Sequence, residues 1–180
     1  MITSCIIFLA TFGSGEMPTE NQAIEQYQSC QQHVPKSMQQ HAGLYYEHFD
    51  EENIDIAVRI GWCESRGKSN AVRTAEGNFD TGVMQFVSWT WNWVAEEYDM
   101  PLWNEWIILR WGRPYDLTKV YTTSSGFQQI RAQYSAYYNI KMASILAEDI
   151  YGRTQWRDWN SSKWCWGDLN KFNKLWQSEK

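Results

Sequence analysis

Asp50-Glu51-Glu52-Asn53-Ile54-Asp55-Ile56-Ala57-Val58-Arg59-Ile60-Gly61-Trp62-Cys63-Glu64-Ser65 is the stretch from which the rest of the chain is read. It opens with acidic residues, which favour a helix start because negative side chains complement the unpaired N–H groups and the positive end of the helix dipole. Ile54, Ala57, Val58, Gly61 and Trp62 follow at the spacing that lines up apolar side chains on one helix face. The helix is expected to run to about Glu64, because Ser65, Gly67, Ser69 and Asn70 continue it poorly. A mostly apolar helix therefore ends on a carboxyl group.

Downstream, residues 66 to 82 read as loop or short β, punctuated by Gly77, Asn78 and Gly82. A second helix is expected from Ser88 through Trp91, Trp93 and Val94 to Tyr98. Residues 99 to 126 hold Pro101, Gly112, Pro114 and Gly126, and read as an irregular insertion carrying Trp103, Trp106 and Trp111. A long helical stretch is expected over about Phe127 to Tyr151, with a break near Asn139. Upstream, residues 16 to 50 are polar and Gln-rich, and suit one or two short helices packed on the domain. His33, His41 and His48 fall there beside Cys30, but polar helices carry such residues commonly, and no metal site is expected. The apolar run from Cys5 to Phe12, followed by Gly13, Ser14 and Gly15, is like a minimal signal peptide without a preceding Lys or Arg, so its removal stays open. The organisation expected is an N-terminal segment over 1–50 and one domain over 51–180, with the insertion at about 99–126.

The 180 residues suffice for one domain with a short appendage. Hydrophobic residues at 43% and charged residues at 21% are ordinary for a globular chain, so the 12 Trp stand out. Most should fill the core, while a few could line a groove and stack on sugar rings. The net charge of −5 leaves no basic field for nucleic acid, which is excluded as a partner. It also suits an anionic cell wall poorly, although Arg59, Arg66, Lys68 and Arg73 supply local positive charge. No run is long enough to span a bilayer. Cys5, Cys30, Cys63 and Cys165 show no CxxC spacing, which argues against zinc; three disulfide pairings are open, and the spacing selects none.

Glu64, beside Trp62 and Cys63 at the helix end, is the first candidate for chemistry. Desolvation and the negative end of the helix dipole would both raise its carboxyl pKa and let it donate a proton to a leaving oxygen. Position alone better suits a partly exposed glutamate at a helix end. Asp80 is a second carboxylate candidate, able to stabilise an oxocarbenium-like transition state or hold a water, or else a plain turn residue.

Glu64-Ser65 followed by Gly82-Val83-Met84-Gln85 resembles the E-S and G-L-M-Q signature of soluble lytic transglycosylases. Asp80-Thr81-Gly82-Val83-Met84-Gln85-Phe86 is also similar to the D-Y-G-I-L-Q-I stretch of animal lysozymes. Asn139-Ile140 leading into Ala143 and Leu146 resembles the N-I-x-x-G helix of transglycosylases, with Ala143 in place of Gly. Cys63, Trp156, Trp159 and Cys165 are similar to resuscitation-promoting factors, in which a cysteine beside the catalytic glutamate is bridged to one near the C-terminus. These pieces cover roughly residues 53 to 166 discontinuously, and their shared order is more specific than any one of them. The A-Y-N turn late in transglycosylases has no counterpart here.

The resemblance implies a mainly α, α+β lysozyme-like fold, with a small β/loop region flanking an active-site groove. It implies cleavage of peptidoglycan glycan strands by a lytic transglycosylase or muramidase, with Glu64 as the acid and no cofactor or metal. Asp80 leaves the two outcomes open. Ser65, Met84, Gln85, Trp89, Trp91 and Asn139 become substrate-side candidates; for Met84, Trp89 and Trp91 core packing is the competing role, and for Ser65 a helix-end turn. Cys63–Cys165 becomes the preferred disulfide. The enzyme would act in the periplasm or cell wall, secreted or carried by a phage virion among other virion proteins. The alternatives are a non-catalytic glycan-binding protein on the same fold, which the presence of Glu64 disfavours, and a structural virion protein, a role compatible with wall-degrading chemistry.

Overall fold

The computed structural model describes residues 1–12, 21–75, 78–109, 117–152 and 156–179. Gly13, Ser14 and Gly15 of the signal-like stretch, Gly77 of the loop, and Trp111, Gly112 and Pro114 of the insertion lie outside them. The protein is mainly helical with two small antiparallel sheets, the α+β class expected. It divides into one unit of Met1–Gly67 with Thr154–Lys180 and a second of Lys68–Arg153.

The first unit is all helical: α1 (Ile2–Phe12), α2 (Asn21–His33), α3 (Lys36–Gln39), α4 (Ala42–His48) and α5 (Glu51–Ser65), then a 3-10 segment (Arg157–Ser162), α8 (Lys163–Trp166) and α9 (Leu169–Gln177). Helix α5 is the hub, with α1, α3, α4, α8 and the 3-10 segment packed on it. Its buried set includes Ile54, Ala57, Val58, Ile60, Gly61 and Trp62, more than one stripe, as a helix enclosed on most sides requires. Each large aliphatic side chain so buried contributes about 1.5–3 kcal/mol. The signal-like run is helix α1, with Ile2, Cys5, Ile6 and Leu9 buried at helical spacing and Cys5 bridged to Cys30 of α2.

The second unit starts with a hairpin of β1 (Val72–Ala75) and β2 (Asn78–Thr81), in which Arg73 lies opposite Asp80. Helix α6 (Ser88–Glu97) follows, then β3 (Trp106–Ile108), β4 (Tyr121–Thr122) and β5 (Gln128–Arg131), which form a three-stranded antiparallel sheet in the order β3-β5-β4. The region expected to be an irregular insertion thus supplies two strands. The helix expected from Phe127 begins at Ala136 instead. Its first part is β5, because Ile130 pairs with Ile107 and is wholly buried between exposed or half-buried neighbours. The Ser135 hydroxyl caps α7 (Ala136–Ser144) by accepting the Tyr138 N–H, and a π-helical turn (Ile145–Ile150) continues it. No break occurs at Asn139, which lies inside α7.

The disulfides Cys5–Cys30 and Cys63–Cys165 use all four cysteines, and the second is the pairing that the resemblance implied. Two such bridges fit an oxidising, extracytoplasmic setting. Among the described residues, no helix is long and apolar enough to cross a membrane.

Candidate active site

Glu64 stands in the last turn of α5, partly buried, between the bridged Cys63 and the buried Ser65. The helix ends there because Arg66 and Gly67 both adopt left-handed backbone, with φ of 57° and 74°. A non-glycine residue in this region is strained. Arg66 is compensated: its guanidinium donates to the Trp62 and Cys63 carbonyls, lies 4.0 Å over the Trp62 ring and pairs with Glu179. At Gly67 only glycine fits, since a Cβ would come within 2.8 Å of Met38 Sδ and the Ser37 carbonyl.

The same turn is held by a residue that sequence reading assigned no role. His41 is fully buried, and its Nε2–H donates to the Gly67 carbonyl at 2.8 Å. Burial pushes the imidazole down to about 4, so it is neutral at pH 7. Ser65 completes the closure. Its hydroxyl donates to the Gly61 carbonyl at 2.9 Å and accepts the Gly67 N–H at 3.1 Å. Ser65 thus spends its hydroxyl on closing the helix end. Cys63–Cys165, with a sequence separation of 102, ties α5 to α8, where Trp166 is buried and donates its indole N–H to the Trp159 carbonyl.

The other candidates all belong to the second unit. Asp80 is buried, and Arg73 Nε and a terminal nitrogen donate to its Oδ2 at 2.8 and 2.5 Å across the hairpin. The turn Gly82–Phe86 returns to the hairpin through the reciprocal bonds of Thr81 and Phe86. Asn139 holds this turn from α7. Its Oδ1 accepts the Met84 N–H at 2.6 Å, and its Nδ2 donates to the Thr81 carbonyl at 3.1 Å and the Gln133 carbonyl at 3.3 Å. Gly82, at φ 82°, leaves room for that amide, since a Cβ would lie 2.1 Å from Asn139 Nδ2.

Three of the substrate-side candidates lie in the interior. Met84 and Trp91 are wholly enclosed core side chains, Trp91 donating its indole N–H to the Pro101 carbonyl. Asn139 is equally enclosed and spends its amide on the turn. Gln85 is half-buried with φ 54°, and its Nε2 donates to the Ala71 and Gly82 carbonyls. Its Oε1 makes no hydrogen bond to any described residue and keeps acceptor capacity for a sugar hydroxyl. Trp89 is 67% exposed and suited to stacking. Trp93, one turn further along α6, is exposed on the same side and was not singled out by sequence; its i, i+4 relation to Trp89 was the available signal.

No protein-family model matches the chain, and no curated protein or solved structure is significantly similar to it. Among the described residues, no group of three or more His, Cys, Asp or Glu side chains is placed to hold a metal ion. Cys30 of the histidine-rich segment is committed to a disulfide and His41 to Gly67.

Proposed function

We propose that the protein cleaves the glycan strands of peptidoglycan at the β-1,4 bond between MurNAc and GlcNAc, with Glu64 as general acid and then base and with no cofactor. The observation that carries this reading is the setting of Glu64: a part-buried carboxyl in the final turn of an enclosed helix, one residue from a disulfide and braced by His41 and Arg66. General acid catalysis needs a carboxyl group whose position does not drift, and this turn is pinned from several sides.

In the proposed step the Glu64 carboxyl gives its proton to the glycosidic oxygen as the bond from that oxygen to the MurNAc anomeric carbon breaks. The resulting carboxylate takes the proton of the muramic 6-hydroxyl as that oxygen attacks the same carbon. The products are a 1,6-anhydro end and a GlcNAc 4-hydroxyl, and no water is consumed. This outcome needs no second carboxylate, whereas hydrolysis usually enlists one to help water attack. Within the second unit, Gln85 Oε1 and the exposed Trp89 ring are groups of the kind that meet sugar hydroxyls and sugar faces. The two disulfides suit an enzyme that works at the wall, reached by secretion or on a virion.

Digestion of purified sacculi with mass spectrometry of the released fragments tests the reading. Anhydro ends are expected, and reducing ends would assign a muramidase. Glu64→Gln should abolish release while the thermal melt is retained. Full activity in a folded Glu64→Gln protein would sink the proposal.

A further inference from the structure

The sheet β3-β5-β4 has two faces of opposite character. Directly paired residues of antiparallel strands share a face, so Ile107 lies with Ile130, while Trp106 lies with Arg131, and Ile108 and Tyr121 with Gln129. Ile107 and Ile130 are buried. The other face is open: Ile108 and Tyr121 are each 58% exposed and Trp106 is 39% exposed. Exposed apolar side chains on the two edge strands of a short sheet are a liability for a free protein, and they mark a surface that something covers.

What covers it is indicated by the polar members of the face. The Trp106 and Tyr121 rings stand at 86° with centroids 5.0 Å apart, forming a corner. The Arg131 guanidinium lies 4.0 Å over the Trp106 ring and donates to the Asn104 carbonyl, so the indole is held in place. Gln129, on the central strand, makes no side-chain hydrogen bond to any described residue and offers a free amide. Arg131 is the one charged residue among these five, on a chain whose net charge is −5. Aromatic rings accept the C–H faces of sugars, an amide pairs with their hydroxyls, and a guanidinium pairs with a carboxylate. The remaining acidic character of the chain would repel a polyanion, whereas this face would not. An isologous dimer through the same face would instead bring two copies of Arg131 together.

We infer that this sheet face is a non-catalytic binding platform for a carboxylate-bearing glycan strand. The identity of that strand as peptidoglycan rests on the function proposed above. None of the five side chains is a proton donor suited to glycosidic oxygen at neutral pH, so the face binds the polymer without cleaving it.

Co-sedimentation of full-length Glu64→Gln protein with purified sacculi tests the platform. Adding Trp106→Ala and Tyr121→Ala together should weaken binding about tenfold, two aromatic contacts being worth that much in combination. Arg131→Gln should weaken it about threefold and reduce its sensitivity to salt. If the double variant loses its thermal melt, Tyr121→Ala alone carries the test, with about threefold weakening expected. Unchanged sedimentation by folded variants overturns the inference. So does light scattering that finds a dimer dissolved by Tyr121→Ala, which would make a second copy the occupant. The two proposals fail separately: cleavage surviving in Glu64→Gln removes the catalytic reading, while the comparison among sheet variants still scores the platform.

Discussion

Arg73 and Asp80 face each other across the β1–β2 hairpin, with two guanidinium nitrogens converging on one carboxylate oxygen at 2.5 and 2.8 Å. The carboxylate is enclosed, while the arginine side chain is largely in water. An ion pair with so exposed a partner adds about 1 kcal/mol or less. Asp80→Asn is therefore expected to lower stability by that amount in urea denaturation and to retain most of the cleavage rate. A loss as deep as that of Glu64→Gln would make Asp80 a catalytic carboxylate and the enzyme a hydrolase.

Asn139 is the strut of the Gly82–Phe86 turn. Replacing it with Leu removes the acceptor of the Met84 N–H and one of the two donors to the Thr81 carbonyl, which keeps the Phe86 N–H, and losing a buried hydrogen-bond partner costs about 1–3 kcal/mol. A loss of about 1–3 kcal/mol is expected in denaturant titrations, and a similar or larger one for Gly82→Ala, which places a methyl against the same amide at positive φ. A change below about 0.5 kcal/mol in both variants would contradict this role.

Cys63–Cys165 closes a loop of 102 residues in sequence separation. In the chain-entropy view such a closure is worth about 4–5 kcal/mol, less any strain. Cys63→Ser should accordingly lower Tm in non-reducing buffer, and the difference from the parent should shrink when both are reduced. Equal melting temperatures without reductant would argue that the bridge does not form.

His41 ties stability to pH. Its folded pKa is about 4 against 6.5 unfolded, so the unfolded chain binds the proton first as pH falls. Above 6.5 both states are neutral and nothing is lost. Between 6.5 and 4 stability declines, by about 3 kcal/mol in all from this residue, and below 4 its contribution levels off. His41→Gln should flatten the stability profile across that window. A parent profile that is already flat there would show the imidazole to be solvated in the folded state.

Much of the first unit was legible from local pattern. The acidic start, the apolar spacing and the poor continuation after Glu64 mark out α5 to within a residue of its observed end at Ser65. The loop or short β expected over 66 to 82 contains the hairpin, and the turn glycine Gly82 does what its position suggested. Gln128–Arg131 was misread because four residues cannot separate a strand period from a helical one. Only the pairing of Ile130 with Ile107 decides between them.

Trp89, Trp91 and Trp93 show where sequence stops and packing takes over. Their order along the chain determines, through the rotation per residue of a helix, that Trp89 and Trp93 share a side and Trp91 points away. It cannot say which side is covered. The contacts of Trp91 with Phe86, Trp103 and the Pro101 carbonyl choose it for the interior and leave the other two in water. The same holds for His41 on Gly67 and Asn139 on Met84: residue type set what each side chain could bond, but which partner it met depended on bringing together segments 26 and 55 residues apart. Local periodicity is a property of neighbours in sequence, whereas burial and hydrogen-bond partnership are properties of the closed core.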